Sequence, residues 1–409
     1  MRIDKAIKVV TELDDVSRRT LYLELLRSVA VGILDTGVST FYLLYMERVL
    51  NTGVWPKAFI AGGASIGLLL SPLVVQLVAG LGLLSSRGAA SVYFISGLAT
   101  AITFVVKDPI LITVLLVISM ASWNTSIPLT TQIYADNYPG KRRGVLFSLS
   151  NMTRILSTAL FAYYAGLLLE LSLDFFALII GLLSVMSFFS AWLLFRYPSR
   201  VTKRETSNAL LDGLRAVRFD KVFRVTLIGW MIMGFGNLMI YPLRVEYLAN
   251  PIYGLDLGEW RIAMLVTVIP SCSRFVCTFF WGMLFDRVNF FTLRILMNFC
   301  FILGMLSFFL SSSFLLLSIG AAVYGIATSG GDVAWNLWVT KFAPQGKSQA
   351  YMAVHTFFTG VRGVLAPMVG FYCIFRFGFQ NLLWGSTLLV VLASLIFLME
   401  RVKGRDLGA

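Results

Sequence analysis

Charge is scarce in this chain. Lys, Arg, Asp and Glu make up 13% of the 409 residues, about half of the roughly 25% found in soluble domains. Hydrophobic residues account for 58%, and apolar runs of about 20 residues recur from end to end, each long enough to cross a bilayer. This composition excludes a soluble protein and predicts an all-α protein that crosses a membrane many times.

The residues for several chemistries are also missing. The chain has one His and four Cys, and the Cys fall inside apolar runs at spacings that fit neither a disulfide framework nor a metal site. No nucleotide-binding loop of the Gly-x-x-x-x-Gly-Lys-Ser/Thr type is present, which excludes a built-in ATPase. No combination of a nucleophilic residue and a base suggests a catalytic site. We therefore expect no enzyme, no cofactor and no metal.

The apolar runs predict twelve membrane helices. The first run is full length and has no small-residue cleavage site after it, which favours a retained span over a signal peptide. The predicted helices are 25–49, 54–80, 89–106, 109–134, 144–170, 173–196, 222–248, 260–285, 292–311, 314–341, 347–375 and 380–400.

Most of the 34 Lys and Arg residues fall in loops on one side of these helices. Basic loops mark the cytoplasmic side, so both termini are predicted to be cytoplasmic, in the inner membrane. The same short loops account for the net charge of +13 without a nucleic-acid partner.

The longest loop divides the chain into two sets of six helices. Apolar residues on one face of this loop, with Arg215 and Arg218 beside them, predict an amphipathic helix on the anionic leaflet. The predicted units are a cytoplasmic segment 1–24, a first bundle 25–196, a linker 197–221, a second bundle 222–400 and a tail 401–409.

The loop after the eighth helix carries a recognisable motif. The run Gly282-Met283-Leu284-Phe285-Asp286-Arg287 resembles the loop signature of the major facilitator superfamily, in which Gly and Asp-Arg are separated by three residues. The continuation departs from that signature, because Asn289 replaces a Gly, and the first-half copy at 80–88 lacks the Asp. The turn 138–144 resembles the family's turn between the fourth and fifth helices.

The resemblance implies an architecture and a mechanism. It implies two six-helix bundles, related by a pseudo-twofold axis, around a central cavity that opens alternately to each side. It also implies that Asp286 bonds near the start of the eleventh helix and latches the inner gate. The residues assigned to gating are Gly282, Asp286, Arg287, Arg142 and Arg143.

Five charged residues lie near the middle of predicted helices: Asp35, Arg154, Arg274, Asp332 and Arg362. An ionisable group at that depth costs about 3 kcal/mol on insertion scales. None lies deep in the third, sixth, ninth or twelfth helix, which the family places at the periphery. The charges therefore favour a central cavity independently of the motif.

Two interpretations of these charges remain open. Arg362 could pair with Asp332, and Asp35 could pair with Arg154 or Arg274. Because three arginines face two aspartates, pairing leaves one positive charge, which favours an anionic group on the solute. A sixth charge, Arg27, lies close enough to the end of its helix for its side chain to reach the surface.

Three residues are candidates for carrying protons. Four residues, in addition to the three arginines, are candidates for contacting the solute. Asp35 and Asp332 could bind protons because burial raises the pKa of a carboxyl group. His355 could do so, or could be a hydrogen-bonding bystander. The additional solute contacts are predicted on polar helix faces and at two deep tryptophans, which could instead be packing residues: Asn151, Asn336, Trp123 and Trp335.

The leading hypothesis is a secondary active transporter for a small anionic or zwitterionic solute, coupled to protons. The alternative is proton-driven efflux of lipophilic or cationic drugs, supported by Asp35 but not by the fifth helix, which lacks the glycine- and proline-rich motif of such exporters. A third possibility is a sensor or lipid-moving protein of the same fold. The expected partners are the solute, protons and membrane lipids, and we expect a monomer.

Overall fold

The computed structural model describes residues 13–140, 142–202, 209–253, 255–341, 343–344 and 347–403. Within this part of the chain the protein is all-α, with twelve long helices and one short helix in the linker, Ala209–Phe219. The long helices are α1 (Asp15–Arg48), α2 (Val54–Gly80), α3 (Ser85–Ile102), α4 (Pro109–Asn137), α5 (Arg143–Leu171), α6 (Phe175–Phe195), α7 (Lys221–Ala249), α8 (Glu259–Arg287), α9 (Phe290–Phe309), α10 (Phe314–Leu337), α11 (348–377) and α12 (379–402).

By length and composition, ten helical runs among the described residues could cross a membrane. Helices α11 and α12 form one of these runs, because only Gly378 interrupts them, with φ 79° and ψ 170°. The sequence analysis placed a four-residue loop there. A single glycine suffices because it adopts positive φ without steric cost. Helix α3 is not among the ten.

Two helices depart from regular geometry at the same depth. Helix α1 is π-helical over Gly37–Phe41, and α8 is π-helical over Met264–Val268. The two segments touch, since the hydroxyl oxygens of Thr40 and Thr267 lie 2.5 Å apart. Single π-turns inside α-helices occur often at functional sites. Here the contact between the two π-helical segments joins the first half of the chain to the second.

The helices pack mainly within each half of the chain. In the first half, α1 contacts α5 and α6, and α3 contacts α4 and α6. In the second half, α7 contacts both α11 and α12, and α10 contacts α8 and α9. The halves meet where α2 crosses α11 and where α5 crosses α8. We call the side that holds the loops after α2, α4, α6, α8 and α10 the terminal face, and the opposite side the distal face.

The linker helix lies against a membrane helix rather than only against lipid. A Cβ atom on its Gly213 would overlap the carbonyl oxygen of Ala350 at the start of α11. Leu211 and Leu214 are exposed on the other side. The predicted amphipathic helix is therefore present, but one of its faces is covered by α11.

Helix α1 begins at Asp15, ten residues before the predicted start. Its early turns carry Glu24, whose carboxylate accepts two hydrogen bonds from the buried Arg27 guanidinium, at 2.9 and 2.7 Å. Arg27 also donates to the hydroxyls of Tyr93 and Tyr134. The prediction that Arg27 reaches the surface is wrong, because a carboxylate and two phenols satisfy its charge inside the bundle.

Helices α7 and α11 cross closely because position 370 is a glycine, which has no side chain. A Cβ atom on Gly370 would overlap the carbonyl oxygen of Met239, whereas one on Gly385 in α12 would meet nothing within 4 Å. We expect Gly370→Ala to lower the free energy of unfolding by about 1–3 kcal/mol, because the backbones must separate. Gly385→Ala should be neutral or stabilising, since Ala is the better helix former. Thermal unfolding in detergent compares the two; equal melting temperatures would contradict the packing argument.

Candidate functional site

The first element of the site is an ion pair between α1 and α5 at the middle of both helices. The Arg154 guanidinium donates from Nε and Nη2 to the two carboxylate oxygens of Asp35, at 2.5 and 2.7 Å. The side chains remain 39% and 25% exposed. The pair is therefore not enclosed in a packed core, although a charged pair at this depth is costly to expose to lipid.

The close approach of α1 and α5 positions this pair. Gly32, one turn before Asp35, packs on the carbonyl of Arg154, where a Cβ atom would not fit. The hydroxyl of Thr158 donates to the carbonyl of Gly32 at 2.9 Å. Small residues permit such helix contacts in membranes, and here they fix the distance that the bidentate pair spans.

The second half of the chain supplies a matching pair. Arg274 of α8 donates from Nε to a carboxylate oxygen of Asp332 in α10, at 2.6 Å, with side-chain exposures of 35% and 38%. Of the pairings left open by the sequence, Asp35 with Arg154 is confirmed, and Asp332 with Arg362 is wrong. Helices α8 and α10 are neighbours, so Arg274 reaches Asp332.

Arg362 has no carboxylate partner among the residues that the structure describes. Its Nη1 donates to the backbone carbonyl of Trp230 at 2.7 Å, while its Nε is buried without a hydrogen bond. Gly234 of α7 lies flush against the guanidinium, and a Cβ atom at that position would overlap it. Of the three deep arginines predicted from the sequence, this one keeps an uncompensated positive charge.

His355 lies in an aromatic enclosure next to Arg362. Its ring contacts Trp230, Trp338 and Trp335, with centroid distances of 5.1, 4.9 and 5.7 Å. The side chain is fully buried, and neither ring nitrogen has a hydrogen-bond partner. Among the described residues the neighbouring charges are the cations Arg362 and Arg294 and no carboxylate, so this geometry gives no support to His355 as a proton carrier.

The remaining predicted solute contacts fall in different places. Asn151 is half-buried one turn before Arg154, and its side chain makes no hydrogen bond within the described ranges. Trp123 is buried against Tyr93, with ring centroids 6.1 Å apart, which is a packing arrangement. Trp335 is half-buried beside His355. The side chain of Asn336 lies outside the described residues.

The sequence analysis missed an ion-pair group at the distal face that joins the two halves. Lys57 of α2 donates to both carboxylate oxygens of Glu246 in α7, at 3.0 and 2.8 Å, and to Glu47 of α1. These three side chains are only 6–11% exposed. We call Lys57, Glu47 and Glu246 the distal latch.

The distal latch holds one ammonium and two carboxylates. Asn250 stabilises Glu246 by donating to Oε1 at 2.9 Å. Burial, and then the charges of Glu246 and Glu47, raise the pKa of the neighbouring Tyr253 to about 12. The latch therefore carries an excess of negative charge while it bridges α1 and α2 to α7.

A second, more exposed group lies beside the latch. Arg48 at the end of α1 pairs with Asp256 at 2.7 Å and with Glu259 at 3.0 Å, and donates to the carbonyl of Leu257 at 2.9 Å. Arg48 stands at the end of a predicted helix, and Asp256 and Glu259 stand in a predicted loop, where isolated charges are common, so their pairing was not predictable from the sequence. No group of three or more His, Cys, Asp or Glu in the described ranges could hold a metal ion.

The family assignment rests on the whole length of the chain. The sequence model described as Major Facilitator Superfamily matches residues 28–310 and 247–407. The chain belongs to the major facilitator superfamily. Its members are transporters and not enzymes, and this chain is a multi-pass membrane transporter. No curated protein is similar enough in sequence to count as a relative.

Solved structures of the superfamily share the fold. A mutant form of the nucleoside transporter NupG is 14% identical, with a TM-score of 0.77, covering 93% of this chain and 99% of that one. A D-xylose-proton symporter is 15% identical, with a TM-score of 0.69 and coverages of 92% and 97%. The xylose transporter XylE from E. coli, in a partially occluded inward open conformation, is 15% identical, with a TM-score of 0.67 and coverages of 93% and 97%. Identities this low establish the fold alone.

The superfamily's loop motif ends α8 on the terminal face. Asp286 and Arg287 are exposed and form no hydrogen bond or ion pair with the described part of the chain, and the space around Gly282 is open. At the turn before α5, Arg143 donates to the carbonyl of Ala135 at 2.7 Å, and Arg142 is half-buried. The described residues at the start of α11 show no bond to Asp286, and its role as a latch stays a prediction.

Proposed function

We propose that this protein is a secondary active transporter that moves a small anionic or zwitterionic solute across the cytoplasmic membrane. The observation that carries the proposal is the charge distribution at mid-depth. Asp35–Arg154 and Arg274–Asp332 are neutral pairs, one in each half, and Arg362 adds a guanidinium without a carboxylate. Guanidinium groups bind carboxylates and phosphates through paired hydrogen bonds.

The two halves act in this proposal as six-helix bundles that rock against each other, with the terminal face and both termini cytoplasmic. The distal latch and the Thr40–Thr267 contact join the halves on the distal side of Asp35. The partly exposed pairs are then reached from the terminal face. We assign the structure to a state that opens toward the cytoplasm.

Proton coupling follows from the competition between solute and aspartate. An incoming carboxylate or phosphate that binds Arg154 displaces the Asp35 carboxylate, which then lies at mid-depth without its counter-ion. Burial without a positive partner raises the proton affinity of a carboxylate, so Asp35 takes a proton from solution as the solute binds. Asp332 can do the same when a solute occupies Arg274.

The drug-efflux alternative requires a free carboxylate in the pathway. Cation recognition by Asp35 would have to displace Arg154, which holds both carboxylate oxygens. The cost of leaving that guanidinium unpaired at mid-depth disfavours this alternative. Xylose and nucleosides, the solutes for which the similar solved proteins are named, have no charge for these pairs to recognise.

A ligand panel tests the proposal. Purified protein is heated with organic acids, amino acids, phosphate esters, sugars, nucleosides and cationic drugs. A ligand at about 100 times its dissociation constant stabilises the folded state by about 2.7 kcal/mol. We expect anionic or zwitterionic compounds to raise the melting temperature, and Arg362→Gln to remove that increase.

Arg376→Gln is the matched control, because Arg376 is exposed and lies near the distal end of the same helix, α11. It makes the same change in charge and should leave the ligand response intact. Stabilisation by sugars, nucleosides or cationic drugs alone would show that the charges do not select the solute, and would overturn the proposal.

A further inference from the structure

Arginines from three parts of the first half converge on a concavity at the terminal face. The concavity has a volume of about 650 Å³ and is lined by Arg19 of α1, by Trp192 and Phe195 of α6, and by the segment 196–198. The guanidinium of Arg87, from α3, lies 5.5 Å from the ring centroid of Phe195. This cluster lies apart from the mid-depth pairs and has no part in the proposed transport cycle.

The positive charges of Arg19, Arg87 and Arg196 are not compensated within the described residues. Arg19 donates to the backbone carbonyl of Arg196 at 3.2 Å, and none of the three forms an ion pair. Two carboxylates on α1 do not pair with them: Asp15 is fully exposed and lies 3.9 Å from Arg18, and Glu24 is buried and bonded to Arg27.

The aromatic residues give the concavity a defined geometry. The guanidinium carbon of Arg196 lies 3.9 Å from the ring centroid of Trp192, which itself stacks on Phe189 with centroids 5.8 Å apart. A cation stacked on an aromatic face keeps the edge of the guanidinium free to donate hydrogen bonds.

Tyr197 anchors the floor of the concavity to the interior. It is buried, and its hydroxyl donates to the Glu24 carboxylate at 2.6 Å. Burial, followed by the charge of Glu24, raises the pKa of Tyr197, so its hydroxyl stays protonated as a donor. The backbone that carries Arg196 is therefore fixed to α1 through a buried hydrogen bond.

We infer that this concavity binds the phosphate headgroup of an anionic phospholipid. The guanidinium edges supply charge-assisted donors for phosphate oxygens. The exposed rings of Trp192 and Phe195, and of Phe94 further along α3, provide an apolar surface for an acyl chain, which a soluble phosphate would not need. Basic pockets between helices on the cytoplasmic side are suited to anionic headgroups.

Native mass spectrometry of the full-length protein in detergent tests the inference. Short-chain phosphatidylglycerol is titrated against the wild type, the double variant Arg19→Gln/Arg196→Gln and a control, Lys221→Gln/Lys347→Gln. The control removes the same charge from two exposed residues at the starts of α7 and α11 on the same face. We expect the apparent dissociation constant of the first bound lipid to rise at least about tenfold in the double variant, and to stay unchanged in the control.

Phosphatidylcholine of equal chain length and inorganic phosphate complete the titration. Competition by inorganic phosphate as strong as that by phosphatidylglycerol would mean that the site takes soluble phosphate, and would overturn the lipid assignment. Equal weakening by both double variants would mean diffuse attraction to the face rather than a site, and would overturn the inference.

If the double variant Arg19→Gln/Arg196→Gln does not fold, Arg196→Lys takes its place. This variant keeps the charge but loses the planar stack on Trp192, and it should weaken lipid binding at least about threefold. No change in lipid binding would contradict the inference.

Discussion

Arg154→Gln is expected to reduce transport by about 100-fold or more, equivalent to at least about 2.7 kcal/mol. The substitution removes the guanidinium that the proposed solute anion would contact, and leaves the Asp35 carboxylate at mid-depth without its partner. Breaking a fully buried pair costs about 3–5 kcal/mol of stability. We expect a smaller loss of stability here, because both side chains keep contact with solvent.

A double-mutant cycle separates the structural role of the pair from its role in solute recognition. Asp35→Asn/Arg154→Gln removes both charges and replaces them with amides that can bond to each other. The melting temperature of this double variant should return toward that of the wild type, while transport stays lost. Full recovery of transport along with stability would show that the pair only holds α1 against α5.

Asp35→Asn alone should separate solute movement from proton movement. Arg154 remains to bind the anion, but the asparagine cannot take up the proton that the displaced carboxylate would accept. In liposomes, we expect uphill solute accumulation driven by a pH gradient to be lost while exchange of labelled for unlabelled solute continues. Accumulation at the wild-type level would place the proton site elsewhere, with Asp332 the next candidate.

Helix number and the depth of the charges were predictable from the sequence. The apolar runs are long and separated by short loops, of which those on one side are basic, so all twelve helices could be located. Asp35 and Asp332 stand deep within such runs, where hydropathy makes them conspicuous. Helix number and the depth of a charge along its helix can both be read from one sequence, without knowing which helices are neighbours.

The choice of ionic partners was not predictable, because it depends on helix adjacency. Arg362 follows Asp332 more closely along the chain than Arg274 precedes it, which favoured the wrong pair. The structure places α8 beside α10, so Arg274 bonds to Asp332, while Arg362 points toward α7. Sequence separation carries little information about proximity between packed helices.

Average hydropathy also misjudged the start of α1. The stretch from Asp15 to Glu24 is polar enough to resemble a cytoplasmic tail, so the helix was predicted to begin at residue 25. In the structure its buried polar groups have partners: Ser17 donates to the carbonyl of Asn137 at 2.6 Å, and Glu24 bonds to Arg27. Polar residues that satisfy one another inside a bundle are invisible to a scale that scores each residue alone.

Lys57→Gln is expected to shift the protein strongly toward states that open at the distal face. The substitution removes the only ammonium of the distal latch and leaves Glu47 and Glu246 facing each other across the two halves. Both carboxylates are nearly buried, so their repulsion is poorly screened. Breaking such a buried network costs about 3–5 kcal/mol, enough to change the ratio of two conformations by about 100-fold or more.

Distances between spin labels at two exposed distal positions, Lys107→Cys in the first half and Leu310→Cys in the second, report this shift in a background without native cysteines. The wild-type latch should give a short-distance population, which Lys57→Gln replaces with a longer one. Asp256→Asn is the comparison, because it breaks the exposed part of the neighbouring Arg48 group. Exposed pairs contribute about 0–1 kcal/mol, so this variant should barely alter the distances.

The two glutamates should differ in effect, because the latch has more negative than positive charge. Glu246 receives both hydrogen bonds that Lys57 sends across to α7, and a third from Asn250, whereas Glu47 belongs to the same half as Lys57. Glu246→Gln should therefore open the distal face nearly as far as Lys57→Gln does. Glu47→Gln removes the excess charge and leaves the bridge between halves intact, so it should favour the closed distal face. A shift toward the open state in Glu47→Gln would contradict the assignment of Lys57–Glu246 as the bond that closes the distal face.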